Sequence, residues 1–349
     1  MIISTPGRIC LFGEHQDYLG LPVIAMSISL RVQIKGDKIS DRQIIIHKPD
    51  LDETESFSLN DLTYTKQRDY FKSGVMVCKK EGLTFSSGFE CKITSQIPIR
   101  AGTSSSSAII VSWIHVLSQL ADEPVNWNQK KIGELAYKTE VEEFNEPGGM
   151  MDQYSTAMGH LIYLESKPKI SIRSLNPNLG TFVLGDSGEQ KDTMSILKRC
   201  RDNRLSIIEK LNTQNPDLDL HSCDSDFRID GLNNDEKVLF KGTIRNRDLL
   251  RQGLPELEKD EPDHKLIGRL LTDHHVVLRD VLNVSTPKIE AMLVTAMNAG
   301  ALGGKINGSG GGGCMFAYAP KNFEEVAEAI INVGGKAYII QSDEGTRID

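Results

Sequence analysis

The chain has no paired-cysteine pattern, no long apolar run, no surplus of positive charge and no low-complexity tract. Each absence removes a class of function. The six cysteines, at 10, 78, 91, 200, 223 and 314, form no Cys-x-x-Cys pair and no evenly spaced framework. That pattern supports neither a zinc ribbon nor a disulfide scaffold, and reduced thiols in a cytoplasmic protein are expected. No stretch approaches the ~20 apolar residues of a membrane span. The opening Met1-Ile2-Ile3-Ser4-Thr5-Pro6 shows no basic region followed by an apolar run, so no signal peptide is expected. Lys and Arg number 40 against 48 Asp and Glu, for a net charge of −8. No broad footprint for nucleic acid is therefore expected. A protein of this sign that binds a polyphosphate must concentrate positive potential locally or borrow a metal. No GxxxxGK[ST] sequence occurs, which argues against a P-loop nucleotide triphosphatase. The glycine run at 308–313 lacks the flanking βαβ order of a dinucleotide-binding fold.

What is present is an ordinary soluble globular composition, 39% hydrophobic and 25% charged over 349 residues, with room for two domains. Alternation predicts strands at 31–35 and 89–94, and β-branched residues predict one at 43–47. A helix is expected near 70–81. A serine loop leads into a helix ending near 121, and a further helix spans roughly 128–144. Strands follow at 160–165, 169–173 and 181–185. From 193 the pattern turns helical, at 193–212, 235–258, 264–283 and 286–299, with a polar loop at 216–228. A strand at 314–318, a helix at 323–333 and a strand at 336–341 close the chain. This order predicts an α+β protein of two domains, 1–180 and 181–349, divided between 175 and 190.

Four segments carry chemistry. In Pro98–Ala108, Gly102 and four consecutive serines run into the apolar-periodic Ile110, Trp113, Ile114 and Leu117. Hydroxyls and free backbone N–H groups at a helix N-terminus, where the dipole is positive, suit a phosphate. An ordinary serine N-cap is the competing explanation. In Pro6–Tyr18, an apolar run ends at Gly13 and delivers Glu14, His15, Gln16 and Asp17 into one small volume. Such groups can hold sugar hydroxyls, or face water as a solvated turn. In Lys305–Cys314, a glycine run permits positive φ and close backbone approach, as would a flexible linker. In Thr139–Gln153, Glu140 lies at the edge of an apolar helix face, where a carboxylate needs a cation or hydrogen bonds. Asp152 follows a Gly-Gly-Met-Met bend. Glu142, Glu143 and Glu146 read as an acidic cluster at a helix end.

With these segments in order, the chain resembles the GHMP kinase superfamily, and its details are most similar to the galactokinases. Pro6–Tyr18 resembles that family's PGRxxLxGEHxDY segment, Met151-Asp152-Gln153 its Met-Asp-Gln segment, and His275–Asp280 its His-x-x-Leu-Arg-Asp stretch. Gly303–Cys314 is similar to the third superfamily motif. The resemblance spans about residues 4 to 320. It implies a mixed sheet-and-helix N-terminal domain and a ferredoxin-like C-terminal α/β sandwich. It further implies that Asp152 orients or accepts the proton of the attacking hydroxyl, with Arg8 paired to it. Glu14, His15, Asp17 and Gly149 would contact the sugar. Gly102, Thr103, Ser104, Ser105, Ser106 and Ser107 would cradle the ATP phosphates, braced by Gly308, Ser309, Gly310 and Gly311. Ser106 and Glu140 would hold Mg²⁺.

The implied activity is ATP-dependent phosphorylation of the anomeric hydroxyl of a sugar, galactose first. A uronic acid, arabinose, an N-acetylhexosamine or a heptose phosphate are alternative substrates, and a non-catalytic sugar and ATP sensor is an alternative function. The Gly-Glu-His-x-Asp-Tyr and Met-Asp-Gln signatures favour a polyol over mevalonate. Arg100, Thr103, Ser107, Gln16 and Leu19 depart from the family pattern and bear on which sugar is taken. No oligomeric state follows from the sequence.

Overall fold

The first strand, β1 (Ile2–Phe12), has Ile3 through Phe12 buried without alternation. That is the signature of a strand covered on both faces, and it explains why no period-2 signal marks it. The computed structural model describes residues 1–99, 101–190, 192–224 and 226–349. After β1 come β2 (Val23–Lys38), β3 (Gln43–Lys48) and β4 (Glu53–Ser58), then helix α1 (Tyr70–Lys80) and β5 (Phe89–Ser95). Helices α2 (Ser105–Leu120), α3 (Gln129–Tyr137) and α4 (Met151–Met158) lead to β6 (Leu161–Glu165) and β7 (Ser171–Leu175). The expected helix over 128–144 is divided. It passes at Lys138–Glu142 into a π-turn, which turns Glu140 out of the α-helical register.

The second unit runs from β8 (Phe182–Asp186) through α5 (Thr193–Gln214), α6 (Asn234–Leu257), α7 (His264–Val276) and α8 (Pro287–Asn298). It continues with β9 (Gly303–Ile306), β10 (Cys314–Tyr318), α9 (Phe323–Asn332) and β11 (Lys336–Ile340). Its antiparallel sheet has the order β11-β8-β10-β9, the arrangement of a ferredoxin-like sandwich. The last strand, β12 (Arg347–Ile348), leaves this unit and pairs with β1.

The N-terminal sheet therefore has the order β12-β1-β2-β5-β3-β4, with β6 and β7 branching from β2. Among the described residues of this sheet, only β3 and β5 pair in parallel. α2 lies against this sheet, burying Trp113, Ile114, Val116 and Leu117. The apolar core runs across the two units. Ile9, Leu11 and Phe12 of β1 share one apolar cluster with Leu249, Leu250, Leu270, Leu271 and Phe316. The register of β1 on β2 shifts between Pro6 and Gly7 and again between Cys10 and Phe12. Such irregularities re-aim side chains, and here Arg8 lies between them. All six cysteines are buried, and none forms a disulfide among the described residues.

Candidate active site

A cleft of about 580 Å³ opens where β1, the start of α2, the start of α4, the start of α5 and the glycine loop meet. Arg8 rises from β1 into it, and Asp152 stands in the first turn of α4. Arg8 Nε and Nη2 both donate to Asp152 Oδ1, at 2.9 and 2.7 Å. Arg8 Nη1 donates to the Gly102 carbonyl. Burial pulls the Arg8 guanidinium down, but Asp152 and Glu14 outweigh it and hold it above its usual value. Arg8 is a permanent cation, with Asp152 on one side and the serine loop on the other.

The turn after β1 supplies Glu14, His15 and Asp17. Tyr18 N–H donates to Asp17 Oδ1 at 3.0 Å, and Met151 N–H to Oδ2 at 3.3 Å. A Cβ on Gly149 would lie 1.9 Å from Asp17 Oδ2, so only glycine lets this carboxylate approach the Met-Asp-Gln segment. Burial, then the charge of Asp152, pushes the Asp17 carboxyl up to about 6. Glu14 is 2% exposed, and its Oε2 accepts from Lys305 Nζ at 2.8 Å. Lys305, fully buried on β9, also donates to the carbonyls of Cys10 and Ile306.

The serine loop differs from an ordinary N-cap. Ser104, at the N-cap, has φ 60° and its side chain makes no capping bond. The first helical bond runs from Ala108 N–H to the Ser104 carbonyl at 2.9 Å. The N–H groups of Ser105, Ser106 and Ser107 therefore precede the helical ladder. The Ser104 hydroxyl is buried without a partner among the described residues and lines the cleft. A loop so arranged offers donors to an anion rather than to its own backbone. Asn307 ties the loop to β1, accepting from Cys10 N–H at 2.9 Å and donating to the Gly102 carbonyl at 2.9 Å. Gly308, at φ 76°, lies so close to this loop that a Cβ would meet the Gly102 carbonyl oxygen at 2.6 Å.

Ser106 donates to Glu140 Oε1, and Gln153 Nε2 donates to Glu140 Oε2 at 2.7 Å. Burial raises the Glu140 carboxyl, while these hydrogen bonds oppose the rise. A buried carboxylate beside an exposed serine hydroxyl is a hard-oxygen pair. Such a pair would suit Mg²⁺ alongside phosphate oxygens and water. Among the described residues no group of three His, Cys, Asp or Glu side chains could hold a metal by itself.

Several expectations need correction. Thr103 is fully buried, and neither it nor Gly310 or Gly311 lines the cleft. Gly311 N–H is spent on the Val284 carbonyl at 2.7 Å. Gln16 is fully buried and holds the Pro22 carbonyl, and Leu19 packs in a cluster with Ile207, Leu211 and Phe240. Neither lines the cleft. Arg100 lies outside the described residues. His275 accepts from Ile306 N–H at 3.2 Å and bonds Glu290 at 2.8 Å, so it braces β9.

Glu146 is not merely part of an acidic helix end. It lines the cleft, with Arg68 Nε at 2.7 Å and the Tyr70 hydroxyl at 2.6 Å. Nothing local in the sequence marks Arg68 or Tyr70, which reach Glu146 from a segment more than 70 residues earlier.

Residues 69–160 match the model of the GHMP kinases N-terminal domain, and 253–336 that of the GHMP kinases C-terminal domain. Residues 1–36 match the galactokinase galactose-binding signature. The chain is 31% identical to a mevalonate kinase of Thermococcus gammatolerans, over 100% of this chain and 98% of that one. It is 28% identical to a galactokinase of Pyrococcus furiosus, over 94% and 92%. In structure it resembles Lactococcus lactis galactokinase complexed with galactose, with a TM-score of 0.86, 22% identity and coverage of 99% and 94%.

Proposed function

The chain belongs to the GHMP kinases, ATP-using phosphotransferases, and we propose that it phosphorylates the anomeric hydroxyl of a neutral monosaccharide, galactose first. The observation that carries this reading is the charge of the cleft. Its wall presents the carboxylates of Asp17 and Asp152. Among the described residues its two arginines are already engaged, Arg8 with Asp152 and Arg68 with Glu146. Among the described residues, a substrate carboxylate would meet like charge with no unengaged cation to receive it. Sugar hydroxyls would find acceptors. The galactose-binding signature over 1–36 supports the same choice.

In this reading Asp152 accepts or orients the proton of the attacking hydroxyl. Arg8 fixes the Asp152 carboxylate and faces the charge that develops between sugar and phosphate. Asp17 and Glu14 orient the sugar. The N–H groups and hydroxyls of Ser104–Ser107 hold the β- and γ-phosphates. Ser106 and Glu140 would hold Mg²⁺, whose chemistry there is to neutralise phosphate charge. Little covalent chemistry is asked of the protein, and positioning dominates.

Mevalonate is a second reading. It is favoured by the 31% identical mevalonate kinase, which aligns over the whole chain, and by Met194 and Leu197, which give the cleft an apolar wall. An ADP-release assay with Mg²⁺-ATP against galactose, glucose, arabinose, galacturonate, N-acetylgalactosamine and mevalonate tests both. Turnover with a neutral sugar alone supports the proposal. Turnover with mevalonate or galacturonate alone overturns it. ATP binding with no turnover on any acceptor would favour a sensor.

A further inference from the structure

Arg204, on α5, carries a buried charge that phosphoryl transfer leaves unused. It is 2% exposed, and among the described residues no carboxylate pairs with it. Its Nε donates to the Cys200 carbonyl at 2.8 Å, and its Nη2 donates to the Tyr18 hydroxyl. The guanidinium lies 5.2 Å from the centroid of the Tyr18 ring. An uncompensated buried cation is costly, so its remaining partners matter.

Those partners form a chain with one direction. Tyr18 Oη lies 3.0 Å from His15 Nδ1, and His15 Nε2 lies 3.1 Å from the Ser309 carbonyl. A carbonyl only accepts, so Nε2 carries the hydrogen. In a neutral ring Nδ1 then accepts, and Tyr18 must donate to it. The Tyr18 oxygen in turn accepts from Arg204. Burial raises the Tyr18 phenol, which keeps the proton this chain needs. The chain joins α5, the turn after β1 and the glycine loop.

His15 therefore has both ring nitrogens committed to protein partners. Its backbone sits at φ 63°, left-handed for a residue with a side chain. Such a conformation is strained and persists only where surroundings enforce it. Glu14 and Asp17 flank it. We propose that Arg204 and Tyr18 are positioning residues that lock His15 in its Nε2–H tautomer and so hold the Glu14–Asp17 turn in register with Ser309. The His15 ring is then a brace in the wall of the cleft, with both nitrogens turned to protein partners. The kinetic consequence, though not the tautomer, rests on the sugar-kinase reading.

The test is nitrogen-15 NMR of histidine-labelled full-length protein at about pH 8.5, above the ordinary imidazole range near 6.5. The His15 signals are identified by their loss in His15→Gln. The wild type shows one tautomer, protonated at Nε2. Tyr18→Phe removes the Nδ1 partner and gives a tautomer mixture. In the same variant the sugar KM rises about five- to tenfold, the scale of one hydrogen bond, while kcat stays within about twofold. Arg204→Met repeats the KM effect and Arg204→Lys, which restores a donor, reverses most of it. If Arg204→Met does not fold, Tyr18→Phe carries the test. An unchanged His15 tautomer in Tyr18→Phe overturns the relay. A changed tautomer with unchanged KM overturns the positioning role. If the wild type phosphorylates no sugar, the functional reading fails while the NMR result still decides the relay.

Discussion

Arg8 holds a single oxygen of Asp152 through two of its nitrogens, at 2.9 and 2.7 Å, and leaves Asp152 Oδ2 outside that grip. The Arg8 side chain is 4% exposed and that of Asp152 33%. The cation is sheltered while the carboxylate reaches the cleft. Asp152→Asn is expected to lower kcat by about 10²–10⁴, the usual worth of a positioned base. ATP affinity should stay within about threefold, because the serine loop is held by Asn307. Titration calorimetry with ATP beside steady-state kinetics checks both. Full activity in this variant would remove Asp152 from the mechanism.

Ser106 and Glu140 give the second prediction. Ser106→Ala removes the hydroxyl proposed as one hard-oxygen ligand and leaves the buried Glu140 with its Gln153 contact. The Mg²⁺ concentration for half-maximal rate should rise about tenfold, with recovery of rate at saturating Mg²⁺. A Mg²⁺ titration indistinguishable from wild type would break the ligand assignment.

The Asp17 carboxyl, pushed up to about 6 by burial and by Asp152, sets a pH dependence. Its acceptor role needs the ionised form, which is lost as pH falls through 6. The kcat/KM for sugar should therefore fall about tenfold per unit below that value, as for a single required ionisation. Asp17→Asn should abolish this limb along with most of the affinity. A flat kcat/KM profile between pH 5 and 7.5 in the wild type would exclude Asp17 from sugar binding.

Lys305 and Glu14 meet at 2.8 Å with side chains 0% and 3% exposed. Removing one partner of such a pair strands the other charge, at a cost of about 3–5 kcal/mol. Lys305→Met should therefore lower the midpoint of urea unfolding sharply. Combining it with Glu14→Gln should recover a substantial part of the loss. Additive losses in the double variant would show that the ion pair is not what Lys305 contributes.

Much of the site was legible in the sequence because each half of it is a contiguous segment. Glu14 and Asp17 follow one apolar run. The four serines precede another. The glycine run stands between two strand patterns. The serine segment was legible as a helix start that suits a phosphate or is an ordinary cap, and the left-handed backbone of Ser104, which leaves its side chain without a capping bond, was not. β1 left no periodic trace because it is buried on both faces. The π-turn that carries Glu140 has no local sequence signature, and a regular helix fits the same residues. Glu146 read as part of an acidic helix end because its partners, Arg68 and Tyr70, lie more than 70 residues earlier.

The sequence by itself determined the family, the α+β order of elements and the segments that meet at the cleft. These depend on neighbours along the chain, through turn chemistry, apolar runs and glycine freedom. Only the tertiary structure decided which of those residues face the cleft. Gln16, Leu19 and Thr103 turned inward, Glu146 and Tyr18 turned toward the cleft, and Arg204 reached Tyr18 across 186 residues. The physical reason is that sheet register and the shared core around β1 set these distances. Both are sums of contacts between segments that no local pattern encodes.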